Sequence, residues 1–198
     1  MDGIEVQPFM LAWPVWAVFL LYWLYAARNV KQPRVRQPAV QRLMAYTGMI
    51  ICVFLLAYRP GGGLPILGLF LGLRLWPEHS VAGWIGVALC MSGIAFAIWA
   101  RRILADNWSA EVQIKENHAL ITHGPYAAVR HPIYTGICIA LIGTWMTVGS
   151  LGGLLGIALG FLGLWHKVTV EERFMRTQFP DTYPQYAARV RRLVPGVF

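Results

Sequence analysis

Apolar runs about as long as a bilayer core is thick decide what this chain can fold into. A membrane helix needs about 20 such residues, within roughly 17–25. Phe9 to Ala27 and Val81 to Ala100 meet this length, and Leu43 to Tyr58, bounded by Arg42 and Arg59, falls slightly short. Ile133 to Trp165 is too long for one span and barely enough for two. Near its middle, Gly149-Ser150-Leu151-Gly152-Gly153 supplies turn chemistry, so this run reads as a tight helical hairpin, 133–165. The composition agrees: 57% of the 198 residues are hydrophobic and 13% are charged, against about 25% charged in soluble domains. The reading is an all-α, polytopic integral membrane protein of about five transmembrane helices. It is one membrane domain, 1–198, with N-terminal spans and loops over 1–79. Gly61 to Trp76 is apolar but carries three successive glycines, Pro65 and Arg74, and reads as re-entrant or interfacial.

The basic residues set the orientation. With the N-terminus outside, five spans put Arg28, Lys31, Arg34, Arg36 and Arg42 in the first inside loop. Arg101, Arg102, Lys115 and Arg130 then fall in the second. Lys167, Arg173, Arg176, Arg189, Arg191 and Arg192 fall in a cytoplasmic tail, which leaves Arg59 and Arg74 outside. A split of 15 to 2 is a strong positive-inside signal. It also accounts for the net charge of +8 without nucleic acid as a partner; the arginines meet anionic membrane lipid instead. Cys52, Cys90 and Cys138 lie inside apolar runs, in no metal or redox spacing, and read as small buried hydrophobes. Glycines 152, 156 and 160 share one helix face and predict close helix packing. The acidic N-terminus, with Asp2 and Glu5, does not read as a cleavable leader.

Against this background the polar stretch HALITHGPYAAVRHPIYTG, His118 to Gly136, is the anomaly. Ionisable groups next to lipid cost several kcal/mol (about 2–7 even for neutral polar groups) unless paired or solvated. Gly124-Pro125 marks a turn, and Arg130-His131-Pro132 opens the hairpin with proline in the first helical turn. The amides that follow, near Ile133 and Tyr134, are free donors at the positive end of a helix dipole, suited to carboxylates or phosphates. After the hairpin come Glu171-Glu172 and FPDTYPQY. Taken singly, each has a plainer reading: His131 as a cap, Tyr126 and Tyr134 as interfacial aromatics, the glutamates as a solvated helix end, and Tyr183 and Tyr186 as tail anchors. No Ser/His/Asp set, metal-ligand spacing or phosphate-cradling glycine loop is present.

The combination, in order, closely resembles the isoprenylcysteine carboxyl methyltransferase family, within the wider set of small membrane methyltransferases that includes phospholipid methyltransferases. The resemblance covers roughly residues 80–198 and rests on GPY, RHPxY, the glutamate pair and the terminal F-x-x-x-Y-x-x-Y. It implies a methyltransferase core over 80–198, with a cofactor-binding segment 106–134, the hairpin, and a C-terminal segment 166–198. The implied cofactor is S-adenosyl-L-methionine. Its pocket would be formed by Gln113, His118, Leu120, Ile121, Tyr126, His131, Pro132 and Tyr134, and closed by Glu171. A family arginine facing the substrate is matched here by Lys167, which keeps the charge and loses the bidentate fork.

The expected chemistry is direct in-line methyl transfer, with the cofactor entering from the cytosol and a lipophilic or lipidated acceptor from the bilayer. A carboxylate acceptor is already ionised and needs no base, so orientation and desolvation would suffice. Arg130 or Lys167 would steer such an anion. An amine or thiol acceptor would need a base, with Glu172 or His131 as candidates. Phospholipid N-methylation and thiol S-methylation are the alternative reactions, and a non-enzymatic membrane protein on the same scaffold is a third reading.

Overall fold

A computed structural model describes residues 6–28, 39–57, 65–77, 80–104 and 120–196. Gln113 and His118 lie outside the described residues. The described elements are helices: α1 (Pro8–Ala27), α2 (Ala39–Ala57), α3 (Pro65–Leu71), α4 (Val81–Leu104), α5 (Pro132–Val148), α6 (Leu151–Gln178) and α7 (Thr182–Arg189), with a 3₁₀ turn at Gly124–Ala127. Three are long and apolar enough to cross a membrane: Pro8–Ala26, Val81–Leu104 and Leu151–Gln178. Thr47–Ala57 and Pro132–Val148 are shorter apolar helical stretches. Large apolar side chains such as Leu21, Leu24, Ile50, Val81 and Leu162 lie exposed on the outside, as a lipid-facing surface requires.

The hairpin turns where its glycines sit. Gly149 ends α5 in the left-handed conformation, φ 67°, which a β-carbon disfavours. Ser150 then caps α6 by accepting a hydrogen bond from Gly153 N at 3.0 Å. The second arm does not stop at Trp165, where the apolar run ends. It continues through the glutamate pair to Gln178, because the polar residues after Trp165 include no helix breaker before Pro180. The apolar boundary and the helix boundary are therefore different things, and the glutamates ride on the hairpin's own helix.

Helices α4 and α5 share the most extensive contact. Their backbones touch where Gly93 meets Gly136 and Gly86 meets Gly143. Lipid tails are as apolar as leucine, so close packing and interhelical hydrogen bonds hold such pairs together. α1 lies across both: Ala12 and Phe19 pack against Cys90, Ile94, Ala97 and Ala140. Trp16 Nε1 donates to Thr144 Oγ1 at 2.8 Å. α6 receives α2 and α3 on its glycine face, Gly156 against Cys52 O and Leu55, and Gly152 against Leu71.

α3 has seven residues, about 10 Å of helix, far short of a span. The chain after it pairs with the hairpin turn: Leu75 N donates to Gly149 O at 2.8 Å and Leu151 N to Leu73 O at 2.9 Å. The opposite end of the helices gathers the C-termini of α1, α4 and α6 with the N-terminus of α5. There Arg101 Nη2 donates to Ala26 O, a terminal carbonyl of α1, at 3.2 Å.

Candidate functional site

The site grows from the short loop between the 3₁₀ turn and α5. Tyr126 is buried with Ala100 and Ile133, and Ile103, Leu104, Ile121 and Tyr134 pack around them. Its carbonyl accepts the Tyr186 hydroxyl from α7 at 2.6 Å. Burial pushes the Tyr186 phenol up to about 12, so it remains a donor at neutral pH. The loop is then sewn to the tail. Val129 and Arg191 form a parallel bridge; Arg130 N donates to Arg191 O at 2.7 Å and His131 N to Arg192 O at 3.0 Å. One turn into α5, Thr135 Oγ1 donates to Leu193 O at 2.7 Å. This stitching fixes the chain direction at His131, and Pro132 starts α5 immediately after it.

α6 brings its carboxylates to the same point. Tyr134 donates its hydroxyl to Glu171 Oε1 at 2.5 Å. His131 Nδ1 lies 3.6 Å from Glu171 Oε2, and Nε2 lies 3.4 Å from Glu172 Oε1. These are ion-pair separations without hydrogen-bond alignment, and Nε2 is buried with no hydrogen-bond partner. The imidazole stacks on the Tyr134 ring, centroids 5.8 Å apart. Burial opposes its charged form, but Glu171 and Glu172 outweigh burial, and the His131 pKa rises above its usual value. The Lys167 ammonium lies 5.7 Å from the centroid of the Tyr134 ring, one helical turn before Glu171.

Glu172 faces a different set of partners. Its side chain is 3% exposed, and Arg130 Nη2 reaches Oε1 at 2.7 Å with Nε at 2.9 Å. Arg192 grips Oε2 through Nη2 at 2.9 Å and Nε at 3.0 Å. Arg130 Nη1 donates to Ala187 O and Val190 O. Arg130 is thus not turned toward an anionic acceptor, as the sequence suggested; all three of its guanidinium nitrogens are held inside the protein. Glu172, a candidate base on sequence, has each oxygen gripped by an arginine. Arg192 was missed. Its only signal was membership of the basic tail, which read as an orientation device; a buried carboxylate's need for cationic partners was the cue.

The sequence candidates Arg130, His131, Tyr134, Lys167, Glu171 and Glu172 form one cluster, and Ile121 and Tyr126 adjoin it through the apolar contacts of Tyr134. Pro132 is buried behind them. Leu120 lines a neighbouring cleft of about 680 Å³, with Thr122 and Ala127 on its side and Phe179, Thr182 and Tyr186 opposite. His131, Tyr134 and Glu171 do not line that cleft. Chemically, the cluster offers an acceptor carboxylate, a buried imidazole nitrogen and the first free amides of α5. That set suits a ligand carrying both an anionic group and hydroxyl or ammonium donors.

The chain resembles known proteins over this same region. The family model described as phospholipid methyltransferase matches residues 81–182. Over 84 residues the chain is 38% identical to the protein-S-isoprenylcysteine O-methyltransferase of Schizosaccharomyces pombe, covering 40% of this chain and 34% of that protein. Over 126 residues it is 34% identical to a probable protein-S-isoprenylcysteine O-methyltransferase of Oryza sativa subsp. indica, covering 61% of this chain and 64% of that one. The chain thus spans between a third and two thirds of the length of these relatives. Among solved structures, it shares the fold of a eukaryotic intramembrane Ras methyltransferase, an isoprenylcysteine carboxyl methyltransferase. That match has a TM-score of 0.57 at 19% identity, over 98% of this chain and 70% of the other. The matched residues contain the paired α4 and α5, the loop at His131 and both glutamates, and on that ground the chain belongs to the phospholipid methyltransferase family.

Proposed function

We propose that this protein is an integral membrane methyltransferase that uses S-adenosylmethionine and methylates a lipophilic carboxylate of the prenylcysteine type. The residues at the α5 entrance fit the cofactor. Ile133 and Tyr134 present first-turn amides with no intrahelical acceptor, and beside them the buried His131 imidazole is favoured in its protonated form by Glu171 and Glu172. Together they would hold the cofactor carboxylate. Glu171 would accept from the ribose hydroxyls or the ammonium, with Tyr134 fixing its orientation. Leu120, Ile121 and Tyr126, with Gln113 and His118, would complete the pocket. When bound, the cofactor supplies an electrophilic methyl group on a sulfonium.

The observation that carries the acceptor class is that both candidate bases are occupied. Glu172 is held by two arginines, and His131 lies between two carboxylates that favour its protonated form. A site without a free base suits an acceptor that arrives ionised, such as a carboxylate, better than an amine or thiol. Lys167 would steer that anion. Arg130 and Glu172 would position the loop and α6 rather than touch the acceptor. Orientation and exclusion of water then supply the catalysis.

Five spans are the reading the helix set supports, with α2 and α5 as the shorter two. The site end would face the cytoplasm. Arg28, Arg102, Arg173, Arg176, Arg189 and Arg191 lie exposed at that end, while Arg74 pairs with the hairpin turn at the other.

Calorimetry with S-adenosylmethionine and its demethylated product on detergent-purified protein tests the cofactor. Saturable binding, lost in Glu171→Ala and His131→Ala, is expected. A folded wild type that binds neither would reject the enzyme reading. Methyl transfer to an S-prenylcysteine, a phospholipid amine and a small thiol then tests the acceptor, and turnover of the amine or thiol alone would overturn the carboxylate assignment.

A further inference from the structure

Arg192 touches both halves of the site at once. Its carbonyl accepts the backbone N–H of His131 at 3.0 Å. Its guanidinium holds Glu172 Oε2 by two nitrogens, at 2.9 and 3.0 Å, and lies 5.2 Å from the centroid of the Trp165 ring on the same helix. Trp165 and Glu172 are seven residues apart on α6, two turns along one face. The side chain thus runs along α6 while its own backbone is bound to the loop that opens α5.

Among the described residues of the tail, Arg192 is the one that bonds both the loop backbone and the Glu172 carboxylate. Arg130, in the loop itself, bonds Glu172 through Nε and Nη2, while its Nη1 binds the carbonyls of Ala187 and Val190, so it ties the loop and α6 to the end of α7 and leaves the following tail strand to Arg192. Tyr134 and Glu171 meet directly, but across the face where the cofactor would lie. The tail thus seats the His131 backbone against α6, next to the 3.6 Å approach of His131 Nδ1 to Glu171 Oε2. Resting on the methyltransferase reading above, we propose that Arg192 is a positioning residue that sets the distance between His131 and the Glu171 carboxylate, and through it the grip on the cofactor.

A bidentate fork and a planar stack are properties of arginine that lysine lacks. At 31% exposure the side chain can be exchanged without opening a core cavity. The test measures binding of the demethylated cofactor by calorimetry, the melting midpoint, and the acceptor KM at saturating cofactor in Arg192→Lys and Arg192→Met. We expect Arg192→Met to weaken cofactor binding about tenfold or more, on the scale of one charge-assisted hydrogen bond. Arg192→Lys should fall between it and the wild type. The acceptor KM should stay within about twofold of the wild type, a change well below 1 kcal/mol. A merely structural contact would lower the melting midpoint and the active fraction but leave the Kd of the folded molecules unchanged. Wild-type binding with an unchanged Kd in both variants would overturn this proposal alone. A folded wild type that binds no cofactor would overturn the methyltransferase reading beneath it as well.

Discussion

Replacing Gly136 by alanine tests whether the α4–α5 backbone contact organises this fold. A β-carbon there would lie 2.5 Å from Gly93 O, 2.8 Å from Ala97 N and 2.9 Å from Ala97 Cβ. Ordinary contact for such pairs begins near 3.4 Å. The nearest atoms are backbone and the first carbon of a side chain, so no rotamer change relieves the overlap. The helices must part by roughly 1 Å, and a gap of that size forfeits a quarter to a half of each dispersion contact it opens. Overpacking of this kind costs about 1–3 kcal/mol. Alanine's better helix propensity returns at most about 1 kcal/mol. The net loss, about 0–2 kcal/mol with the full propensity gain and about 1–3 with none, lowers the melting midpoint by several degrees at its middle, at about 2–4 °C per kcal/mol for a chain of this size. A thiol-reactive dye reads the transition as a rise above the label on half-buried Cys138, because Cys90 is fully buried where α1, α4 and α5 meet. Gly163 is the control: nothing lies within 4 Å of a β-carbon there, so Gly163→Ala should melt at or above the wild-type midpoint. A Gly136→Ala protein that melts with the wild type would refute the steric argument.

Three further outcomes follow from the site. The His131 pKa is raised in the folded protein from about 6.5, so its ion pairs stabilise fully below that value and fade as pH rises through the higher folded one; His131→Asn should flatten the melting midpoint between pH 6 and 9, and an unchanged slope would remove His131 from the ion cluster. Tyr134→Phe deletes the hydroxyl donated to Glu171 and should raise the Kd of the demethylated cofactor about tenfold by calorimetry; an unaltered Kd would mean that Glu171 needs no orienting donor. Lys167→Met should raise the acceptor KM about tenfold or more with the cofactor Kd little changed, consistent with loss of one charge-assisted contact; equal loss of both would sink the steering role.

The long apolar helices were legible because their cause is local. Apolar length predicts a membrane helix whatever surrounds it, and the predicted starts and ends of α1 and the α5–α6 turn fall within a residue or two of the observed ones. The Gly149-Ser150 turn was legible because one residue needs positive φ and the next offers a cap. The extension of α6 past Trp165 was not, because hydropathy marks where lipid ends and not where the helix does. The individual residues around His131 were legible, but their pairings were not. Arg130 and Glu172 are 42 residues apart and Arg192 lies a further 20 beyond. Charge counting cannot distinguish an arginine that meets lipid headgroups from one that meets a buried carboxylate.

The adjacent glutamates show what that distinction means for function. Consecutive residues on a helix point about 100° apart, so Glu171 and Glu172 cannot face the same partner. Glu171 turns toward Tyr134 and Lys167, the open side of the cluster, and keeps acceptor capacity for a ligand. Glu172 turns into the loop and tail, where two arginines consume it. His131 lies between them and senses both. A carboxylate held that firmly stabilises little by itself, since burying its charge costs about what its pairing returns. What it provides is a fixed rotation of α6, and therefore a fixed direction for Glu171. Exchange of Glu172 for glutamine should then weaken cofactor binding without Glu172 ever touching the cofactor, while Glu171→Gln should remove a direct contact. Combining Glu172→Gln with Arg192→Met separates the two accounts. If Glu172 acts through its arginines, the double variant binds cofactor no more weakly than the worse single variant. Additive losses would instead place Glu172 in contact with the ligand.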